Sequence, residues 1–524
     1  MNPEDFSAAP ALVRKTAEAG RRSPATALNF VVEDGSADET TLAAFLALAA
    51  ALAGRLRRSG LRTGDIVAIR GGGGSRAVSE AIVACTLAGL VAAPLVSLLG
   101  DADVDMILDT AGVRGLLAEP AIKSRDLTGH LRRTCERRPD VAVGGIGALA
   151  GKADFALPVT DERPGPVDWT AVSDDSLGFV LFSSGTTGAP KGVLHSYATV
   201  DAEVHDFADQ LDLLRDGHLL QPFPLGHIGG IAGLFICVTL GRDMTQLNSW
   251  NAVVAADAIN RYRVTGSGTS PYFVQTLLEE RERRGAGLET LRALESGGGP
   301  VGRELVYRAA RLGLRLSRGY GSTEHPTATT HHADDPLEQR AGSDGFPLNG
   351  TRVRVLGADG RDLPAGRDGE VLLAGPEQTL GYLSGDTSAF LAGGEWFRTG
   401  DVGHLTESGE LVITGRIKEI IIRGGENISA SEVEKLLAEH PGIAEAAVVG
   451  VPDAKFGERA HAFIVLRPGS GPVDLESVRG FFDERRVSRF KTPEYVTTVP
   501  YLPRNSLGKV QKHLLTADLT PRDS

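Results

Sequence analysis

The sequence predicts an α/β protein in two parts: a large N-terminal domain of helix-covered β-sheets that includes a small β-barrel-like subdomain, then a small C-terminal α+β domain. Three observations carry this. From about residue 40 to 250, helical periodicity alternates with short apolar runs, the pattern of sheets covered by helices. From Arg340 to Ile413 the chain breaks into short β-like runs separated by glycine, proline and aspartate turns. After Gly415 the helix and strand pattern restarts.

Taken in order, Leu42 to Arg58 reads as a helix, Asp65 to Arg70 as a strand, Ser79 to Leu90 as a helix and Ala92 to Leu98 as a strand. Strands follow at Thr351 to Leu356, Gly369 to Ala374 and Glu410 to Ile413, in either a small barrel or an antiparallel sheet. Beyond the break, Glu419 to Ile422 is a strand, and Ser429 with Glu432 has the spacing of a capping box before an apolar face of Val433, Leu436 and Leu437. Strands at Ala444 to Val451 and Ala460 to Leu466 and a helix at Leu475 to Arg486 complete it. Roughly a hundred residues suffice for a small second domain, so the expected division is 1–415 and 416–524.

The length of 524 residues exceeds what one compact core supports. A net charge of -12 argues against nonspecific binding to nucleic acid or anionic membranes, and an anionic substrate would need a local positive site. The clusters Arg55, Arg57, Arg58 and Arg281, Arg283, Arg284 read as solvated helix faces. Cys85, Cys135 and Cys237 form no CxxC pair, which argues against a disulfide framework or structural zinc. Glu4 and Asp5 stand where a signal peptide would be basic, and no apolar run reaches the ~20 residues that span a bilayer. The expectation is a cytoplasmic enzyme.

The most informative stretch is Phe182-Ser-Ser-Gly-Thr-Thr-Gly-Ala-Pro-Lys-Gly-Val193, after the apolar run Leu177 to Leu181. Small residues let backbone N–H groups approach a polyphosphate. Ser183, Ser184, Thr186 and Thr187 add hydroxyl donors, and Lys191 adds a positive charge. The spacing excludes a Walker A loop, which needs four residues between its glycines and then Gly-Lys-Ser/Thr. A second run, Gly71-Gly-Gly-Gly-Ser-Arg76, lacks the third glycine and the later acid of a dinucleotide fingerprint and reads as a strand-to-helix turn.

The loop from Ser183 to Lys191 resembles the signature of the adenylate-forming superfamily of acyl-CoA synthetases, peptide-synthetase adenylation domains and luciferases, and is most similar to the acyl-CoA ligases. Four further stretches follow in family order: Tyr320-Gly-Ser-Thr-Glu324, Trp396-Phe-Arg-Thr-Gly-Asp401, Gly415 to Ile428 and Leu502-Pro-Arg-Asn-Ser-Leu-Gly-Lys509. The resemblance implies ATP and Mg2+ as cofactors and coenzyme A as acyl acceptor, with an acyl carrier protein's phosphopantetheine as the alternative. It implies phosphate contacts from Ser183, Ser184, Gly185, Thr186, Thr187, Gly188 and Lys191, with Thr187 among the catalytic residues. Adenine lies against Gly297, Gly298 and Gly299, and further nucleotide contacts come from Tyr320, Gly321 and Thr323. Glu324 holds magnesium, Asp401 and Arg416 take the ribose, and Lys509 is the catalytic lysine. Lys418 is the pivot of a mobile C-terminal domain whose Gly424 and Gly425 line the thiol channel. Lysine is scarce beside arginine in this chain, so three lysines falling in motifs adds weight.

The implied chemistry is activation of a carboxylic acid as acyl-AMP with loss of pyrophosphate, then transfer to a thiol. The segment Pro222 to Phe235 borders the acyl pocket in the family, with His227 near the carboxylate or acting as a gate. It holds no Asp or Glu to pair a substrate ammonium. Gly226, Gly229, Gly230, Ala232 and Gly233 leave space or allow tight packing, and Ile228, Ile231 and Leu234 supply apolar walls. The expected acid is therefore bulky and apolar: aryl, alicyclic or medium-chain. A nucleotide-binding protein without catalysis and a dinucleotide-dependent oxidoreductase are the competing classes. The sequence leaves the oligomeric state open.

Overall fold

The computed structural model describes residues 3–159, 167–183, 191–211, 217–391, 393–423, 426–453, 456–485 and 487–516. Two seven-stranded sheets dominate. In the first, the strands Arg315–Arg318, Ala293–Ser296, Gly266–Thr269, Leu219–Gln221, Met244–Leu247 and Ala27–Val31 run parallel, and Ala37–Thr41 closes one edge antiparallel. In the second, Leu177–Ser183, Val91–Pro94, Ile66–Arg70, Val113–Ala118 and Ala142–Gly145 are parallel; Lys191–Ser196 and Gly381–Tyr382 extend it antiparallel.

Parallel strands need crossovers, and the crossover helices cover both faces of each sheet. One shared helical layer lies between the sheets. Its core joins Leu28 and Phe30 of the first sheet to Ile69 and Phe179 of the second through the helices Ala11–Arg22, Leu42–Arg58, Arg76–Leu87 and Ile228–Leu240. The helix Leu42–Arg58 shows why. The Thr41 hydroxyl accepts from Ala44 N–H at 3.3 Å, and Leu42, Phe45, Leu46, Ala49, Leu52, Ala53 and Leu56 recur at helical spacing and are buried. Burying each large side chain contributes about 1.5–3 kcal/mol before entropy is subtracted. Outer helices cover the far faces, Ala252–Tyr262 and Pro271–Arg284 on the first sheet and Asp101–Thr110 and Thr128–Arg137 on the second.

The Gly71 run is the expected turn. It leaves the strand Ile66–Arg70 and enters the helix Arg76–Leu87, capped by the Ser75 hydroxyl. A Cβ at Gly74 would collide with the Leu247 carbonyl, so the glycines serve close packing between the two sheets. Arg283 and Arg284 pair with Glu280 on their own helix, as a solvated face would.

The region expected as a barrel-like unit is an open four-stranded antiparallel sheet of Arg352–Leu356, Gly369–Ala374, Phe397–Leu405 and Leu411–Arg416. A short 3-10 turn, Ile417–Glu419, leads from its last strand into a five-stranded sheet built from Ile420–Arg423, Glu426–Ser429, Ile443–Asp453, Gly457–Leu466 and Tyr495–Thr498. That sheet has its own core, with Val433 and Leu437 of one helix and Val478 and Phe482 of another packed on Ile421, Val448 and Ile464. Ser429 caps the helix Ala430–Ala438, but Glu432 pairs with Lys491 at 2.6 Å instead of closing the box. Among the described residues no helix is long and apolar enough to cross a membrane.

Candidate functional site

The strand Leu177–Ser183 turns back as Lys191–Ser196, with Lys191 opposite Ser183. Ser184, Gly185, Thr186, Thr187 and Gly188 lie outside the described residues, as does the side chain of Ser183. Lys191 holds the return strand's first position. Its ammonium sits 3.2 Å from the centre of the Tyr382 ring and 3.7 Å from Asp386. The Tyr382 hydroxyl donates to Glu324 Oε1 at 2.9 Å. One tyrosine thus links the hairpin lysine to the acid, and burial and the Glu324 carboxylate push its phenol pKa up. The buried His195 completes the link, with Nε2 2.8 Å from the Thr323 carbonyl and Nδ1 3.1 Å from Thr199 Oγ1. Burial pushes its pKa down to about 4, so it is neutral and positions the Thr323–Glu324 backbone.

Tyr320 donates its hydroxyl to Asp401 Oδ2 at 2.6 Å, and Arg416 pairs with Asp401 Oδ1 at 2.6 Å. Asp401 and Arg416 face each other across adjacent strands, so the sheet register alone brings them together. Gly321 packs so closely that a Cβ would overlap the Pro326 carbonyl. Gly297 donates to the Thr269 carbonyl at 3.1 Å and faces Gly319, Gly298 is at φ +75°, and Gly299 packs beside Pro271. The glycine loop therefore borders the Tyr320 segment.

The C-terminal unit enters from the other side. Ser506 Oγ lies 3.2 Å from His227 Nε2, and the Arg504 guanidinium stacks 4.8 Å from the Tyr272 ring, against which Gly508 also packs. Lys509 projects from this turn with its side chain reachable by solvent, yet its ammonium lies within electrostatic reach of Arg416, Glu419, Asp401 and Lys512. Desolvation first, and Arg416 second, hold its pKa below the usual lysine range. Lys512 pairs with Glu419 at 2.6 Å and with Glu434 at 2.8 Å, tying the Lys509 segment to the 3-10 turn that holds the exposed Lys418. Gly424 and Gly425 lie outside the described residues.

Beside this cleft is a cavity between the helices Tyr197–Leu211 and Ile228–Leu240 and the strands Leu219–Gln221, Gly266–Thr269 and Ala293–Ser296. Phe207, Phe223, Ala232 and Ile236 give it apolar walls, and Gly229, Gly233 and Gly268 also line it. Several expectations divide here. Gly226 and Gly230 are fixed by packing, since a Cβ would strike the backbone of Val96 and of Pro224. Ile231 and Leu234 belong to the shared helical core and do not line the cavity. Nor is the cavity wholly apolar, because Glu203 and Glu295 are in its wall. His227, at the start of the helix, is half-buried, and burial pushes its pKa down to about 4.

Tyr382, His195, Glu203 and Glu295 were not singled out from the sequence. Only His195 had a local signal, a histidine inside an apolar run four positions after Lys191.

Comparison with known proteins is extensive. A family profile described as AMP-binding enzyme matches residues 15–383, and one described as AMP-binding enzyme C-terminal domain matches residues 432–509. The medium-chain fatty-acid–CoA ligase of Escherichia coli is 30% identical over 498 residues, covering 94% of this chain and 88% of that protein. The fatty acid–[acyl-carrier-protein] ligase ScoC of Streptomyces coeruleorubidus is 32% identical over 481 residues, covering 88% of each. Among solved structures, the o-succinylbenzoate CoA synthetase of Bacillus subtilis with its acyl-adenylate intermediate superposes with a TM-score of 0.81 at 26% identity, covering 97% of this chain and 98% of that one. The same enzyme with ATP and a magnesium ion superposes with a TM-score of 0.80.

Proposed function

Because the chain belongs to the AMP-binding enzyme family, we propose that it is an ATP-dependent acid–thiol ligase, which adenylates a carboxylic acid and passes the acyl group to coenzyme A. The observation that carries this reading is the approach of Lys509 to the Asp401–Arg416 pair from a separate C-terminal unit. A cation brought to a nucleotide site by a second unit suits a two-step reaction, since it can be withdrawn after the first.

A carboxylate is a poor acyl donor, so the first step makes the mixed anhydride with AMP and releases pyrophosphate. The protein's part is to position the reactants and offset charge. We assign Lys191 and the 183–188 loop to the departing phosphates, Gly297 to Gly299 to adenine, and Asp401 with Arg416 to the ribose. Each Asp401 oxygen already accepts one hydrogen bond or ion pair and retains a lone pair for a hydroxyl. Lys509 is assigned to the reacting carboxylate and the α-phosphate, and His227 to the mouth of the acid cavity.

The residues fit a magnesium ion held mainly by the nucleotide. Among the described residues no cluster of three or more His, Cys, Asp or Glu could hold a metal, and Glu324 offers one hard carboxylate beside the hairpin. Mg2+ keeps waters and phosphates as ligands and takes one or two carboxylates, and when bound it offsets phosphate charge. Tyr382 fixes the Glu324 carboxylate for that purpose.

We divide the chain at 415/416, with Lys418 in the 3-10 turn as the pivot and Gly424 and Gly425 admitting a narrow pantetheine arm. The acid is read as bulky with an apolar body, aryl, alicyclic or medium-chain, from Phe207, Phe223 and Ile236. Use of ATP and coenzyme A places the enzyme in the cytoplasm. The likeness to a carrier-protein ligase over 88% of each chain favours a second reading, in which a carrier protein's phosphopantetheine is the acceptor. ATP–pyrophosphate exchange across a panel of acids tests the first half-reaction. Mass spectrometry of products formed with coenzyme A or with a holo carrier protein separates the acceptors.

A further inference from the structure

The cavity assigned to the acid contains two carboxyl side chains from elements far apart in sequence. Glu203 comes from the helix Tyr197–Leu211 and is 3% exposed; Glu295 comes from the strand Ala293–Ser296 and is 6% exposed. Glu203 is satisfied, receiving the Thr327 hydroxyl at 2.6 Å and the Thr327 N–H at 3.0 Å. Glu295 is different. Among the described residues its carboxyl takes no hydrogen bond or ion pair, and it lines the cavity.

The fold makes room for this carboxyl. A Cβ at Gly319 would overlap Glu295 Oε1, and the Gly268 position is only 3.8 Å from Oε2. Leu294, the preceding residue, faces the opposite side of the strand into the apolar core. A carboxyl held out of water without a partner costs stability. Burial, reinforced by Glu203, pushes the Glu295 pKa up to about 8, and burial pushes Glu203 up to about 7.

Among the described residues no Lys, Arg or His lines the cavity. A substrate carboxylate therefore finds no counter-charge in it and is left to Lys509, while a group that donates a hydrogen bond finds a carboxyl oxygen to receive it. We propose that this cavity selects carboxylic acids whose apolar body carries a hydrogen-bond donor, a hydroxyl or an amine, received by Glu295 with Glu203 behind it. This rests on the adenylation reading and narrows it: the body of the acid is apolar, but it is not a plain hydrocarbon. A site built to accept from a substrate group rejects the analogue lacking it more strongly than an apolar pocket rejects a missing methylene.

The test is ATP–pyrophosphate exchange with matched acids on two frameworks. One set is 3-(4-hydroxyphenyl)propanoate, 3-(4-aminophenyl)propanoate and 3-(4-methylphenyl)propanoate; the other is 7-hydroxyheptanoate, 7-aminoheptanoate and octanoate. On at least one framework a donor acid should exceed its methyl isostere at least tenfold in kcat/KM, and the hydroxyl and amine arms identify which donor is preferred. Glu295→Leu should bring that ratio to one or below, whereas Glu295→Gln, which keeps an acceptor and the volume, should retain a hydroxyl preference. Methyl isosteres used as well as or better than donors on both frameworks would overturn the donor proposal and leave adenylation standing. An unchanged ratio in Glu295→Leu would do the same. Exchange with none of the six acids would overturn both readings. The wild-type ratio needs no variant, so a folding defect cannot mask the result.

Discussion

Replacing Lys509 by alanine removes an ammonium that the C-terminal unit holds near Asp401 and Arg416. The docking of that unit does not depend on it. Ser506 meets His227, Arg504 and Gly508 meet Tyr272, and within the unit Lys512 holds the segment to Glu419 and Glu434. The loss should therefore be one charge-stabilising contact on the developing phosphate charge, about 3–4 kcal/mol, or ~10² to ~10³ in the rate of acyl-AMP formation. Thermal stability should change little, because the side chain is solvent-accessible and unpaired removal of an exposed charge stays within about 0.5 kcal/mol. The assay separates the half-reactions: pyrophosphate exchange for the first, and thioester formation from supplied acyl-AMP for the second. Equal loss in both, or a loss of less than tenfold in exchange, would refute the assigned role.

Tyr382→Phe keeps the ring under Lys191 but deletes the hydroxyl on Glu324. It should raise the magnesium concentration needed for half-maximal exchange by about ten- to a hundredfold, as loss of a hydrogen bond to a charged group of about 1.5–3 kcal/mol implies, and an unaltered magnesium titration would rule the link out. Gly425→Leu, in the segment outside the described residues, should abolish thioester formation and spare exchange; collapse of exchange would mean the glycine serves folding. The third concerns pH and stability. Burial raises the pKa of Glu295 to about 8, Glu203 to about 7 and Glu377 to about 8, with Asp206 and His325 in the same neighbourhood. Folding then favours the protonated acids, so the stability they contribute is present at low pH and lost as pH rises through about 8. Melting temperature should fall between pH 6 and pH 9, and should fall less in Glu295→Gln by at least about 2 °C, the shift that roughly 1 kcal/mol produces in a larger chain; parallel curves would contradict the assignment.

What could be read in the sequence was what neighbouring residues encode among themselves. The helix Leu42–Arg58 has the expected limits because its cap and apolar stripe are local. The next helix starts at Arg76 rather than Ser79, since its Ser75 cap was concealed at the end of a glycine run. The strand expected over Ala92 to Leu98 stops at Pro94, where the missing N–H ends the ladder. The nucleotide motifs were legible for the same reason, each being contiguous. Asp401 and Arg416, for instance, meet by simple strand register.

The acid cavity follows a different logic, and it explains why the search for a carboxylate in Pro222 to Phe235 found none. That segment supplies one wall, and two of its glycines answer to the backbone of Val96 and Pro224 rather than to a ligand. The charges arrive from Glu203, in a stretch with no motif, and from Glu295, 92 positions later and just ahead of the Gly297 run. On their own strand and helix each is an acid in an otherwise buried position, which periodicity reads as a solvated break in an apolar face. Only the parallel sheet, by setting the end of one strand beside a helix that preceded it by some eighty positions, turns two unremarkable acids into one site. The reaction is thus written in short motifs and the choice of acid in tertiary packing, so residues outside every motif are where related chains with the same nucleotide machinery can diverge in what they activate.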